Sequence, residues 1–191
     1  MMRIAKAISI LALVLILAGC TLADQRLASA MEEAIARQYR EVSDFQLQQQ
    51  VPWQEGGLAL VTFDAVNNRD MALVDCYGIG FFRGSLPIYS IFTAMSMCGS
   101  MVRSEVSEGK SEPIQTIPYG YLALVGQDTS VAFGRVNHPD GVQVRIEWDD
   151  GESITVEVVN GSYLAPRSGL SEVREMVLFD ENGGLLSTTS P

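Results

Sequence analysis

Few residues in this chain could do chemistry, and they are scattered. His138 is the single histidine among 191 residues, and its side chain alone has an unperturbed pKa near neutrality. A Ser-His-Asp triad would have to use it. It stands in Val136-Asn-His-Pro-Asp-Gly141, a run of turn formers, and no Gly-x-Ser-x-Gly elbow accompanies it, so an exposed turn histidine is expected. Ser107-Glu-Gly-Lys110 fits the spacing in which a lysine deprotonates a serine nucleophile, but the Lys-Thr-Gly strand such sites require is missing. Gly109-Lys110-Ser111 matches the end of a phosphate-binding loop, yet position 104 is serine where glycine is required. Gly78-Ile-Gly80 with Gly84 misses the dinucleotide-binding spacing by one residue and reads as a tight connection between strands. Asp149, Asp150 and Glu152, and Asp180 with Glu181, lack the ligand ladder of a calcium loop and read as solvated hairpin tips. With 23 acidic residues, some carboxylate pair at the spacing of a glycosidase is inevitable. No catalytic residue, metal ligand or cofactor is assigned from these patterns.

The N-terminus is more specific. Arg3 and Lys6 precede an apolar run from Ala7 to Ala18, the layout of an export signal. Lys6, Ser9 and Thr21 interrupt the apolar stretch, which falls short of the roughly 20 residues of a spanning helix. Leu17-Ala18-Gly19-Cys20 follows. In this segment of about 20 residues the chain resembles the bacterial lipoproteins. The resemblance implies diacylglycerol on the Cys20 thiol, cleavage before Cys20 and an extracytoplasmic, tethered protein. Two or three acyl chains anchor firmly because each buried methylene contributes about 0.8 kcal/mol. An ordinary cleaved signal peptide and an uncleaved helix are the alternatives.

Once Cys20 is assigned to lipid, Cys76 and Cys98 remain as an even pair in an oxidising compartment. A bridge between them would stabilise the fold by about 3 kcal/mol in the chain-entropy description. Two buried free thiols are the alternative. A metal site is not expected, since His138 is remote and no Cys-x-x-Cys occurs.

These residues need elements to position them. The spacing of Leu27, Met31, Ala34, Ile35, Val42 and Phe45 predicts an amphipathic helix from Asp24 to about Val42, within a lipidated tether and helix over 20–50. From Trp53 onward, short Val-, Ile-, Phe- and Tyr-rich runs alternate with Gly, Asn, Asp and Pro, which predicts a mainly β, antiparallel sandwich-like fold. Strands are expected near 58–66, 71–77, 79–83, 88–97, 120–126, 130–136, 142–148, 153–159, 173–179 and 184–187, with a turn at Asn67–Asp70. The polar stretch 105–118 reads as a linker or long loop between an N-terminal β region, 51–104, and a C-terminal one, 119–191. Ile88 to Met101 carries no charge and reads as a central strand, or as a partner surface if part of it is exposed.

One hairpin is predictable in register. Val144 and Ile146 share parity with Ile154 and Val156, so a three-residue loop, Asp149-Asp150-Gly151, keeps apolar residues paired where a two-residue loop would bury Glu147. Through this hairpin, Asn160-Gly-Ser-Tyr-Leu and Asp180-Glu-Asn-Gly-Gly, residues 120–188 resemble the immunoglobulin-like modules of bacterial surface lipoproteins. That resemblance implies a fold and carries over no catalytic residue.

Thirteen Lys+Arg against 23 Asp+Glu give a formal charge of -10, a field that repels phosphate backbones, so nucleic acid is not expected as a partner. The expected partners are the membrane, through lipid on Cys20, and an envelope protein or ligand. The function this supports is a non-enzymatic binding module of the cell envelope. The alternatives are an extracytoplasmic hydrolase acting on peptide or glycan, and a protease-inhibitor lipoprotein.

Overall fold

Helix-forming residues with an apolar side chain every fourth position open the described chain as a helix over residues 22–36. The computed structural model describes residues 22–39, 41–66, 73–85, 88–98, 114–115 and 128–190. Leu27, Met31 and Ile35 are fully buried, each contributing roughly 1.5–3 kcal/mol. The helix tightens at its end through Gln38 N to Ile35 O at 2.8 Å. It stops short of the expected Val42, and the chain turns back as a strand, β1 (Val42–Trp53). Val42 and Phe45 pack against the helix–sheet core as strand residues, with Phe45 stacked on Phe63 at 5.8 Å. The tether-and-helix segment 20–50 is thus corrected in its second half: Gln46 to Gln50 are helix formers by propensity but are held extended by pairing with a neighbouring strand.

That neighbour is β2 (Gly56–Val66), followed by β3 (Leu73–Ser85) and β4 (Ile88–Cys98). The four form an antiparallel sheet in chain order. Strands expected at 71–77 and 79–83 are one strand, and Gly78 and Gly80 are no connection between them. They form the seat of the helix. A Cβ on Gly78 would lie 2.5 Å from Ile35 Cδ1, and one on Gly80 would lie 2.2 Å from Met31 Sδ. The expected turn at Asn67–Asp70 and strand at 120–126 lie outside the described residues.

A middle sheet of three strands follows, ordered β5 (Ile114–Gln115), β6 (Thr129–Val136), β9 (Ser162–Ser168). A third sheet holds β7 (Gln143–Trp148), β8 (Ser153–Glu157), β10 (Val173–Phe179) and β11 (Leu185–Thr189) in the order β11-β10-β7-β8. The expected register holds: Ile146 faces Ile154, Val144 faces Val156, and Gly151 takes the left-handed φ of 88°. Strand β9 was not expected, because Asn160-Gly161 and Pro166 read as loop signals.

The molecule is mainly β, with helix and sheets stacked in layers. Leu58, Leu60, Ile79 and Phe81 meet Val131, Phe133 and Leu164 between the first and middle sheets. Ala132, Tyr163 and Ala165 meet Val144, Ile146, Trp148, Met176 and Leu178 between the middle and third. Strand β6 is therefore buried on both faces, which is why Ser-Val-Ala-Phe-Gly reads as a continuous small and apolar run. The stretch expected as a linker, 105–118, supplies β5 to the middle sheet, which packs against both outer sheets.

Strand β4 ends the first sheet among the described residues, contrary to the central position expected for it. Its exposed Ile88, Phe92 and Met95 follow from that edge position. Among the described residues no helix is long and apolar enough to cross a membrane.

Candidate functional site

Cys76 and Cys98 face each other as register partners of β3 and β4, and their sulfurs are bonded. The pair faces the helix, where Tyr39, just past the helix end, sets its hydroxyl 2.7 Å from Ser96 Oγ. Cys20, Ser104, Ser107, Lys110 and Ser111 lie outside the described residues. His138 sits in a turn, its Nδ1 accepting the Asp140 backbone N–H at 3.2 Å. Asp150 and Glu152 belong to an ion-pair clamp. Arg167 of β9 grips Asp150 with two bonds of 2.9 and 2.7 Å, reaches Glu152 at 3.1 Å and covers the Trp148 ring at 5.2 Å. The Arg167 guanidinium is the largest influence on Asp150, holding its carboxyl below the usual range. The Ser171 hydroxyl bonds Asp149, and Asp180 Oδ1 accepts the Asn182 and Gly184 amides at 2.8 and 2.7 Å. The first hairpin tip is therefore tied by Arg167 and Ser171, and the second by its own turn.

The structure instead gathers residues that sequence reasoning did not select. A polar cleft of about 220 Å³ is lined by Asp44, Gln46, Gln48, Thr62, Asp64, Asp75, Tyr77, Arg135, Asn160 and Ser162. Asp64 of β2 and Asp75 of β3 are register partners. Desolvation, then the hydrogen bond and charge of Asp75, push the Asp64 carboxyl above its usual range. Burial raises the Tyr77 hydroxyl, opposed by Arg135, which bonds it. Asp44 reaches this cleft because β1 is bulged between Ser43 and Gln46, where Asp44 takes a left-handed φ of 49°.

A groove of about 560 Å³ adjoins the cleft, sharing Gln48 and Asn160 with it. Its walls are the outer edge of β1, from Leu47 to Val51, and the end of β8 at Val156 and Glu157 with Val159 and Asn160 just past it. Leu164 of β9 lies between them, and Asp24 of the helix closes one side. A second bulge, between Leu47 and Gln49, turns the Gln48 carbonyl outward, where Asn160 Nδ2 donates to it at 3.0 Å. Gln50 Nε2 donates to Asp24 at 2.8 Å, and buried Gln49 Oε1 has no hydrogen-bond partner. The available sequence signal was polar residues inside otherwise apolar strands, Thr62 and Asp64 in β2 above all.

The arrangement defines a layered, mainly β protein with an acidic, amide-lined groove along one sheet edge. Comparison of the chain with protein-family models, curated proteins and solved structures finds no match in any of the three.

Proposed function

We propose that this protein is a lipid-anchored extracytoplasmic binding module of the bacterial cell envelope, working by holding a ligand or partner and not by turnover. The observation that carries the reading is Leu17-Ala18-Gly19-Cys20 at the end of an apolar run with a basic start. The bonded Cys76–Cys98 pair supports an oxidising compartment. Leu27, Met31 and Ile35 lock the helix that follows this segment in the chain onto the first sheet.

The test is the intact mass of protein purified from its own membrane fraction, with and without reductant and alkylation. The expected mass is that of residues 20–191 plus diacylglycerol, with two thiols appearing only on reduction. An unlipidated mass overturns the anchor.

A second reading, a hydrolase acting on peptide or glycan, is favoured by one observation, the Asp64–Asp75 pair beside Tyr77 and Arg135. It requires turnover of an envelope substrate that disappears in Asp64→Asn.

A further inference from the structure

We propose that the groove along β1 binds an extended, basic peptide segment as an added strand, an inference that rests on the binding-module reading. Main-chain geometry supplies the first argument. β1 and β2 are joined by the two-residue turn Gln54–Glu55, so the flanking pair Trp53 and Gly56 exchanges both ladder bonds. The regular register back to Gln49 then makes Val51 and Gln49 ladder-bonded and directs the main-chain groups of Gln50 and Pro52 outward. Pro52 stands where a strand tolerates proline, with its missing N–H on the open side. Gln50 is exposed and offers both N–H and C=O, while Pro52 offers C=O. An added strand matched to Gln48–Pro52 spans about 17 Å. It makes its main-chain bonds at Gln50 and Pro52, because the Gln48 carbonyl is already taken by Asn160.

Chemistry of the walls supplies the second argument. Amide side chains from Gln48, Gln49, Gln50 and Asn160 line the groove beside aliphatic side chains of β1, β8 and β9. An acyl chain would leave the outward N–H and C=O of Gln50 unanswered, where a peptide pairs with them. Peptide recognition at a sheet edge uses this division of labour, with main-chain bonds for affinity and flanking side chains for selection.

Charge gives the selection. Asp24 and Glu157 flank the groove, and Asp44, Asp64 and Asp75 lie in the adjoining cleft, against Arg135 as the one cation of the two linings among the described residues. An acidic ligand meets repulsion at both ends, whereas lysine or arginine at alternate positions meets a carboxylate.

The experiment uses the full lipidated chain in detergent micelles and fluorescein-labelled synthetic peptides, read by anisotropy. The probes are an alternating lysine–valine peptide, its glutamate–valine counterpart, a backbone N-methylated lysine–valine peptide, and labelled palmitate. Binding of the lysine–valine peptide alone is expected. Glu157→Lys, a change at an exposed wall residue, is expected to weaken it about fivefold at low salt and less at high salt. Gln50→Pro, which removes an outward N–H without touching the ladder to β2, is expected to weaken it as well. Glu181→Lys, in the distant β10–β11 turn, should leave binding unchanged, and thermal unfolding of each variant reports folding separately. Equal binding of the glutamate peptide, binding that survives N-methylation, or Glu157→Lys binding like the parent overturns the inference. Palmitate that displaces the peptide or binds in its place does so too, in favour of an acyl ligand. The mass of the same preparation reports the anchor independently, so loss of the envelope reading and loss of the peptide site are separate results.

Discussion

Asp64 is a carboxylate whose environment opposes its ordinary ionisation. Its carboxyl titrates above the usual carboxylate range because of desolvation and the facing Asp75. A raised folded-state value means the native protein holds that proton more tightly than the unfolded chain does. The associated stability is present at acid pH and is lost as pH rises through the folded value. Asp64→Asn should therefore raise the melting temperature at pH 7, with the gain shrinking as pH falls toward the unfolded carboxylate value near 4. Thermal denaturation of parent and variant across that range checks it, and a gain that grows on acidification contradicts the account. Asp150 sits on the opposite side of its usual range because Arg167 grips it from β9. Two carboxylates of one chain are thus set apart by what faces them, a second acid in one case and a guanidinium in the other.

At the scale of elements, the helix and the glycines beneath it form one device. Gly80→Ala drives a methyl group into Met31, and such overpacking costs about 1–3 kcal/mol. Met31→Ala alone leaves a cavity costing about 2–5 kcal/mol. In the double variant the new methyl occupies part of the vacated space, so the two losses should sum to more than the measured one. Urea denaturation of the four proteins in the cycle tests this, and strict additivity would place Met31 elsewhere.

This device also marks where the sequence was legible. The helical stripe of Leu27, Met31 and Ile35 was readable because a helix repeats its buried face every fourth residue. The hairpin of β7 and β8 was readable because parity leaves only one loop length that keeps Ile146 opposite Ile154. What Gly78 and Gly80 were for was not readable, since a glycine that admits a neighbouring helix looks the same in sequence as one that makes a turn. β1 escaped for a related reason: Gln-Leu-Gln-Gln-Gln has helical propensity, and pairing with β2 outweighs it. The groove and cleft were hidden with it, because their lining depends on the two bulges of β1.

At the scale of the molecule, both outer sheets share the middle one, so neither half has a finished core without the other. Trp53 packs at the interface of the first and middle sheets and Trp148 at the interface of the middle and third. Urea unfolding followed through Trp53 in Trp148→Phe, and through Trp148 in Trp53→Phe, should give coincident transitions once each is normalised to its variant's stability by circular dichroism. Two separate transitions would show that the layers unfold independently. The layering also has a temporal side. Chain order completes β2 and β3 before β6 and β9. Until those arrive, Leu58, Leu60, Ile79 and Phe81 have a helix behind them and no covering strand in front. The N-terminal half is thus a natural client for a holding chaperone until Val131, Phe133 and Leu164 close it.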